Sequence, residues 1–232
     1  MKSLLWLSRN QRADAFPPAS EALTEPNGLL AAGGDLEPER LLAAYKQGIF
    51  PWYQEGQPIL WWSPDPRAVL WPSGLKVSRS LRRSLTKRGF EFRVDTDFER
   101  VVAGCAEPRR YGGGTWITAE MASAYARLHK LGWAHSFETW ADGRLVGGLY
   151  GVGLGRAFFG ESMFTRATDA SKVALVHAVA YLRARGTEII DCQVASAHTL
   201  RLGAVDIPRA QFLSLIGELC AETGPPQTWR FA

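Results

Sequence analysis

Residues 135–164 read HSFETWADGRLVGGLYGVGLGRAFFGESMF, and this stretch decides the fold. Three short runs rich in apolar and aromatic residues are separated by the segments ADG and GLG, which are typical of tight turns. Because strands joined by tight turns run in opposite directions, we predict an antiparallel meander of three consecutive strands.

A helix and another strand follow the meander. Residues 171–185, SKVALVHAVAYLRAR, place Val176, Val179 and Leu182 on one side of a helix that stops before Gly186. The next apolar run predicts a strand. A strand, a crossover helix and a strand form a right-handed βαβ unit, so the sheet is mixed and the predicted class is α+β.

The chain before the meander divides into two parts. Residues 1–66 are rich in Pro and Gly and predict only one helix, at residues 37–48. After them the pattern predicts a strand and two helices, at residues 90–94, 97–106 and 119–131. We therefore predict a small N-terminal domain over residues 1–66 and a larger domain over residues 67–232.

The composition excludes several classes of protein. The 232 residues are 46% apolar and 22% charged, which is typical of a globular chain that needs no metal or disulfide for its core. The three cysteines and four histidines show no disulfide framework and no metal-binding spacing, so we expect no metal. No run is long enough for a signal peptide or a membrane span, and we expect a cytoplasmic protein without membrane association.

A basic segment follows the N-terminal part. The net charge of +4 is mild, but Lys76, Arg79, Arg83 and Lys87 recur at helical spacing, with Arg82 beside them. No acidic residue occurs between positions 76 and 88. Two interpretations stay open: a solvated helix face, or a surface that binds the phosphates of a nucleic acid.

Aromatic density and a glycine loop are two further features of the sequence. Aromatic residues are dense between Tyr45 and Trp62, which favours core packing or, beside a basic segment, stacking with unpaired bases. The glycine loop at residues 112–114 lacks the phosphate-loop pattern GxxxxGK[ST], so we expect no nucleoside triphosphate site there and predict a flexible lid.

Polar residues interrupt two of the apolar strands. Asp191 and Gln193 are two positions apart, so they share one face of a strand, either as a satisfied polar pair or as a functional one. Glu161 lies within the apolar run FFGESMF, either at a sheet edge or at the mouth of an apolar pocket that holds a cation or an ammonium group.

The sequence closely resembles the leucyl/phenylalanyl-tRNA-protein transferases of the bacterial N-end rule pathway, over almost its whole length. The motifs that carry the resemblance are, in chain order, EPNGLLAAGGDL, AYKQGIFPWY, ILWWSPDPRAVL, GTWIT, AYARLHKLGWAHSFE, GGLYGV, FFGESMF, ASKVAL, IDCQV and LGAVDIPR.

The resemblance implies a small N-terminal domain followed by a GNAT-like domain. It implies an aminoacyltransferase that moves Leu, Phe and, less well, Met from charged tRNA to the α-amino group of proteins beginning with Arg or Lys, which marks those proteins for degradation. The sequence lacks the Q/R-x-x-G-x-G/A loop that binds coenzyme A, so no cofactor is expected. The protein is expected to be a monomer. The alternatives are an acetyl-CoA N-acetyltransferase and a non-catalytic RNA-binding module.

The resemblance also implies a catalytic site. Asp191 would hydrogen-bond the Gln193 side chain, Gln193 would accept a proton from the attacking amine, and Glu161 would hold the substrate's amino group or the acceptor. Tyr45 and Tyr125 would contact the terminal adenosine. The residues implied for the donor side chain's apolar pocket are Trp52, Trp116, Leu149, Phe158, Met163 and Ile190.

Two of the pocket residues raise questions of their own. Leu149 stands where the family has Met. Because the two side chains are close in volume, the pocket should persist while its preference among donor side chains changes. Strict alternation points Ile190 away from the face of Asp191, so a bulge or a strand end is needed for both to reach one site.

Overall fold

The structure is a computed structural model that describes residues 4–87, 89–107, 116–224, 226 and 228–230. The glycine loop at residues 112–114, predicted to be a lid, lies outside the described residues.

The N-terminal part forms a sheet of four short strands in the order β1-β2-β4-β3. These strands are β1 (Leu5–Leu7), β2 (Leu29–Gly33), β3 (Phe50–Pro51) and β4 (Leu60–Trp62). The predicted helix is α1 (Pro38–Lys46), which has Pro at its first position, where the missing N–H costs no hydrogen bond. Core packing is confirmed for most of the aromatic residues, because Tyr45, Phe50, Tyr53 and Trp61 are all buried.

The larger part is a seven-stranded sheet in the order β11-β5-β10-β9-β8-β7-β6. Its strands are β5 (Arg67–Leu70), β6 (Glu91–Val94), β7 (Ala134–Ala141), β8 (Arg144–Leu154), β9 (Ala157–Thr165), β10 (Ile189–Gln193) and β11 (Val205–Ile207). Its helices are α2 (Arg79–Lys87), α3 (Phe98–Ala106), α4 (Ala119–Lys130), α5 (Ala170–Ala184), α6 (Ala197–Arg201) and α7 (Arg209–Leu219). Within the described part of the chain, every helix is too short or too polar to cross a bilayer.

The predicted meander and crossover are confirmed. Strands β7, β8 and β9 pair antiparallel in sequence order, and β10 returns through α5 to pair parallel with β9. The sheet is therefore mixed and the α+β class is correct.

The two parts of the chain share a core. One hydrophobic cluster contains Trp61 of the small sheet together with Val69 and Phe159 of the large one. Residue 66 lies between β4 and β5, the strands at which the chain passes from one sheet to the other. The domain boundary at residue 66 stays a prediction.

Two bulges interrupt the centre of the large sheet. In β9, Gly160 pairs with Gly151 and Ser162 pairs with Tyr150, so Glu161 is an extra residue. In β10, the register with β5 shifts between Asp191 and Gln193.

The bulges lie where the parallel strands β9 and β10 stop pairing. The last pair in their register is Asp191 with Phe159. Gln193 has a φ of 55°, a left-handed conformation that is uncommon outside glycine. The bulge and strand end that Ile190 requires are therefore both present.

Candidate active site

A cavity of about 470 Å³ lies beside the ends of β9 and β10 where pairing stops. This volume is within the usual range for a site that binds a small ligand or side chain. Most of the predicted site residues line it, namely Trp116, Leu149, Phe158, Glu161, Met163, Ile190, Asp191 and Gln193. The two strand bulges thus bring the polar residues to an apolar cavity.

Trp52 is the predicted pocket residue that the structure does not bring there. It is absent from the lining residues of this cavity, and 44% of its surface is exposed. Its ring packs against that of Trp62, with 5.6 Å between centroids, and its carbonyl oxygen accepts a hydrogen bond of 2.6 Å from the Trp62 indole N–H. Pairing of β3 with β4 holds Trp52 at the surface.

Asp191 forms a buried ion pair with Arg67. The Arg67 Nε and Nη2 atoms donate to the two carboxylate oxygens over 2.8 and 2.6 Å, and Nη1 donates to the carbonyl oxygen of Gly48 over 3.1 Å. The guanidinium carbon lies 4.8 Å from the ring centroid of Phe50 and 4.5 Å from that of Phe212. Neither charge of the pair reaches solvent, since Arg67 is 0% and Asp191 1% exposed.

Arg67 is the important residue that sequence reasoning missed. Each of the four residues of β5 is buried, including this arginine. A lone charge within the apolar run RAVL and a lone acid within the run IIDC are each costly to bury, and pairing them removes both problems. Two apolar runs, each interrupted by one charge of opposite sign, are the pattern from which this ion pair could have been predicted.

The predicted hydrogen bond between Asp191 and the Gln193 side chain is wrong. Asp191 Oδ1 instead accepts a hydrogen bond of 2.9 Å from the main-chain N–H of Gln193. This contact holds the left-handed residue of the bulge in place. Among the described residues the Gln193 side-chain amide has no hydrogen-bond partner, which leaves it available to a ligand.

Glu161 lies against two tyrosines. Its carboxylate oxygens each accept a hydrogen bond of 2.7 Å, one from Tyr45 and one from Tyr125, and the two hydroxyl oxygens are 2.5 Å apart. Both tyrosines are 0% exposed. The predicted contact of these residues with adenosine stays a prediction, and the contact that the structure shows is the one with Glu161.

The protonation of Glu161 follows from its surroundings. Burial raises its pKa from 4.5 to about 7, the charge of Asp191 adds to this, and the tyrosine hydrogen bonds and Arg67 oppose it. Three short oxygen–oxygen contacts in a triangle need three protons, and two hydroxyls supply two. A protonated Glu161 supplies the third by donating to one tyrosine oxygen instead of accepting from it, and that tyrosine then donates to the other. With a pKa of about 7, Glu161 can gain or lose this proton near neutral pH.

The basic segment is partly helical. Lys76 precedes α2, so its predicted place on the helical stripe is wrong, and its main-chain N–H donates to the carbonyl oxygen of Leu202 over 2.9 Å. Arg79, Arg82 and Arg83 are exposed, while Leu81 on the opposite face is buried. We name the three arginines the α2 stripe. Lys87 ends α2, and its side chain lies outside the described residues.

The described residues contain no group of three or more His, Cys, Asp or Glu side chains that could hold a metal ion. The expectation that the reaction uses no metal and no cofactor stays a prediction.

Two family models match the chain. The model described as leucyl/phenylalanyl-tRNA protein transferase matches residues 69–217, and the model of that family's N-terminal domain matches residues 34–65. A solved structure, the GCN5-related N-acetyltransferase from Kribbella flavida, is 13% identical with a TM-score of 0.41, over 73% of this chain and 60% of that chain. At that TM-score the likeness adds nothing to what the sheet order already shows.

Two curated relatives cover nearly all of the chain. The leucyl/phenylalanyl-tRNA–protein transferase of Aromatoleum aromaticum is 61% identical over 214 residues, which is 92% of this chain and 90% of the relative. The enzyme of the same name from Azoarcus sp. is 60% identical over 215 residues, which is 93% of this chain and 92% of the relative. Because two models of one family match residues 34–65 and 69–217, and relatives of that family are about 60% identical over nearly the whole length, this chain belongs to the leucyl/phenylalanyl-tRNA–protein transferase family.

Proposed function

We propose that the protein transfers leucyl, phenylalanyl and, less well, methionyl groups from charged tRNA to the N-terminal α-amino group of proteins that begin with Arg or Lys. Membership of its family makes the protein an aminoacyltransferase that acts between tRNA and protein. The methionyl donor, the Arg or Lys acceptor and the marking of the product for N-end rule degradation are the finer part of the proposal. A cytoplasmic location and a monomeric state belong to it as well.

One observation carries the proposal: an apolar cavity with an acid and a free amide in its wall. Leu149, Phe158 and Met163 supply an apolar surface suited to a leucyl, phenylalanyl or methionyl side chain. Glu161 and Gln193 supply polar groups beside it, where the ester and the two amino groups of the reaction must meet.

The chemistry needs little more than placement. The acceptor nitrogen attacks the ester carbonyl carbon, the carbon–oxygen bond to the ribose breaks, the amine loses a proton and the ribose hydroxyl gains one. An α-amino group titrates near 7.7–8.0, so a substantial fraction is already the neutral nucleophile at neutral to slightly alkaline pH. Good positioning is worth up to about 7–11 kcal/mol. The ester is activated, so the transfer runs downhill without ATP.

Each polar residue has a role in this scheme. The Gln193 side-chain oxygen accepts a hydrogen bond from the attacking amine. Ionised Glu161 holds an ammonium group. Asp191 is a positioning residue, because its carboxylate is occupied by Arg67 and by the main chain of Gln193.

The test is radiolabelled transfer from leucyl-, phenylalanyl- and methionyl-tRNA to matched peptides. Peptides beginning with Arg or Lys should be labelled, and the same peptides with an acetylated N-terminus should not. Calorimetric titration with coenzyme A tests the acetyltransferase alternative, because an acetyl-CoA-dependent enzyme should bind coenzyme A tightly. Absence of labelled peptide with every charged tRNA would overturn the proposed function.

A further inference from the structure

Helix α6 connects the basic segment to the cavity. The main-chain N–H of Lys76 donates to the carbonyl oxygen of Leu202. Gly203 has a φ of 106°, and a Cβ atom there would lie 2.2 Å from the carbonyl oxygen of Gly74. The segment that leads into α2 is therefore packed, main chain against main chain, on the residues that follow α6.

Two cations lie along this connection. Arg201 ends α6, is exposed and has no ion pair among the described residues. Lys172, near the start of α5, forms an ion pair of 2.9 Å with Asp169, whose other oxygen accepts the Ser84 hydroxyl of α2. Asp169 thus offsets much of the charge of Lys172, and Arg201 is left as the cation available to a ligand.

His198 lines the cavity and is close enough to both cations to feel their charges. Its Nε2 atom is buried without a hydrogen-bond partner among the described residues. A buried polar atom without a partner points to a missing ligand or water. Burial, followed by the charges of Lys172 and Arg201, lowers the pKa of His198. The ring is therefore neutral at neutral pH and can donate or accept one hydrogen bond at Nε2.

The position of His198 is fixed locally. Ser196 and Thr199 form a capping box in which each side chain bonds the main-chain N–H of the other, so neither is left free for a ligand. Since side chains three apart lie on the same side of a helix, His198 and Arg201 face one way.

We propose that Arg201, with Lys172 beside it and His198 at the cavity wall, binds the unpaired 3′ end of the RNA donor and leads it from the α2 stripe into the cavity. This inference rests on the proposed function. Arg201 contacts a backbone phosphate, and the neutral imidazole hydrogen-bonds a polar group of the last nucleotide or its ester. The α2 stripe contacts the duplex that precedes the unpaired end.

Donors of three lengths test this division: whole aminoacyl-tRNA, an aminoacyl trinucleotide and an aminoacyl-adenosine, which carries no internucleotide phosphate. Arg201→Ala should raise KM by roughly three- to tenfold for the first two and leave the third unchanged. Arg83→Ala should raise KM for whole tRNA only. Arg144→Ala, an exposed arginine at the start of β8, is the matched control and should change none.

His198 has its own pair of variants. His198→Leu should lower the use of all three donors, and His198→Gln should restore part of it, because the amide supplies a hydrogen bond at a similar reach. The salt dependence adds a second readout: Arg201→Ala should lower the slope of log K against log salt for the trinucleotide by about 0.7.

Two results would overturn the inference. One is an unchanged KM of Arg201→Ala for the trinucleotide, and the other is an equal loss on the aminoacyl-adenosine. Both leave the proposed function standing if the wild-type protein transfers from whole tRNA. If the wild-type protein labels no peptide from any donor, the proposed function itself has failed.

Discussion

Replacement of Asp191 by Asn should damage the fold and the reaction through one cause, the loss of the charge that compensates Arg67. Both members of the pair are buried, so the variant leaves an unpaired guanidinium in the core. Breaking a buried pair by removing one partner costs about 3–5 kcal/mol of unfolding free energy. Since a typical domain is stable by about 5–15 kcal/mol, the variant should stay folded but lose a large fraction of its stability.

A second variant, Arg67→Met, and the double variant measure the coupling free energy between Arg67 and Asp191. Arg67→Met alone leaves the carboxylate unpaired and should cost a similar amount. The double variant Arg67→Met/Asp191→Asn buries no charge, so its loss should be smaller than the sum of the single losses by at least about 2 kcal/mol. Urea unfolding at 25 °C measures all three against the wild-type protein, with an unchanged m-value as the check on two-state behaviour.

The kinetic part of this prediction concerns Gln193. Asp191→Ala and Gln193→Ala should each lower kcat more than they raise the donor KM, because both disturb the placement of the same amide. Their effects should be non-additive. Stability losses that simply add, or rate losses that simply multiply, would refute the reasoning that one buried pair positions Gln193.

Three further predictions concern the acid, the pocket and the α2 stripe. The pKa of Glu161 in the folded protein lies above its value of 4.5 in the unfolded chain. The unfolding free energy of the wild-type protein should therefore fall by up to about 3 kcal/mol as pH rises from about 4.5 to 7. The Glu161→Gln variant should not show this loss. The same substitution should remove an inflection near pH 7 from the transfer rate, which a pH series of single-turnover rates measures. An apolar pocket discriminates between side chains by shape, at about 1–3 kcal/mol per methylene, so Leu149→Met should shift the preference among donors modestly. Isoleucyl- and valyl-tRNA should be poor donors, and their efficient use would contradict this pocket. Replacement of Arg79, Arg82 and Arg83 by Ala should weaken all tRNA donors alike and flatten the salt dependence of binding by roughly 0.7–0.9 per lost contact, yet leave an aminoacyl-adenosine donor unaffected.

The sequence predicted those features that depend on neighbouring residues. The meander follows from the turns ADG and GLG, and α5 follows from apolar residues at helical spacing before Gly186. Both depend on contacts within a few positions, where turn chemistry and periodicity act directly.

The features that were missed depend on distant residues. Arg67 and Asp191 are 124 positions apart, and neither strand by itself identifies the other as its partner. The bulge at Glu161 arises from register with a neighbouring strand, which alternation along one strand does not contain, whereas the need for a bulge or strand end beside Ile190 was inferred from the sequence. The hydrogen bonds of Tyr45 and Tyr125 with Glu161 were also missed. They join residues 116 and 36 positions apart, and the resemblance assigned the tyrosines a ligand without naming Glu161 as their partner.

The setting of Arg67 has a consequence for biosynthesis. Its guanidinium contacts Gly48 and Phe50 from one end of the chain and Phe212 from the other. On a ribosome, which releases the chain from its N-terminus, the contact with Phe212 can form only after α7 has left the exit tunnel. A nascent chain that stops short of residue 212 therefore lacks one of the two aromatic rings over the Arg67 guanidinium, so the surroundings of the Arg67–Asp191 pair are completed only when α7 has been synthesised.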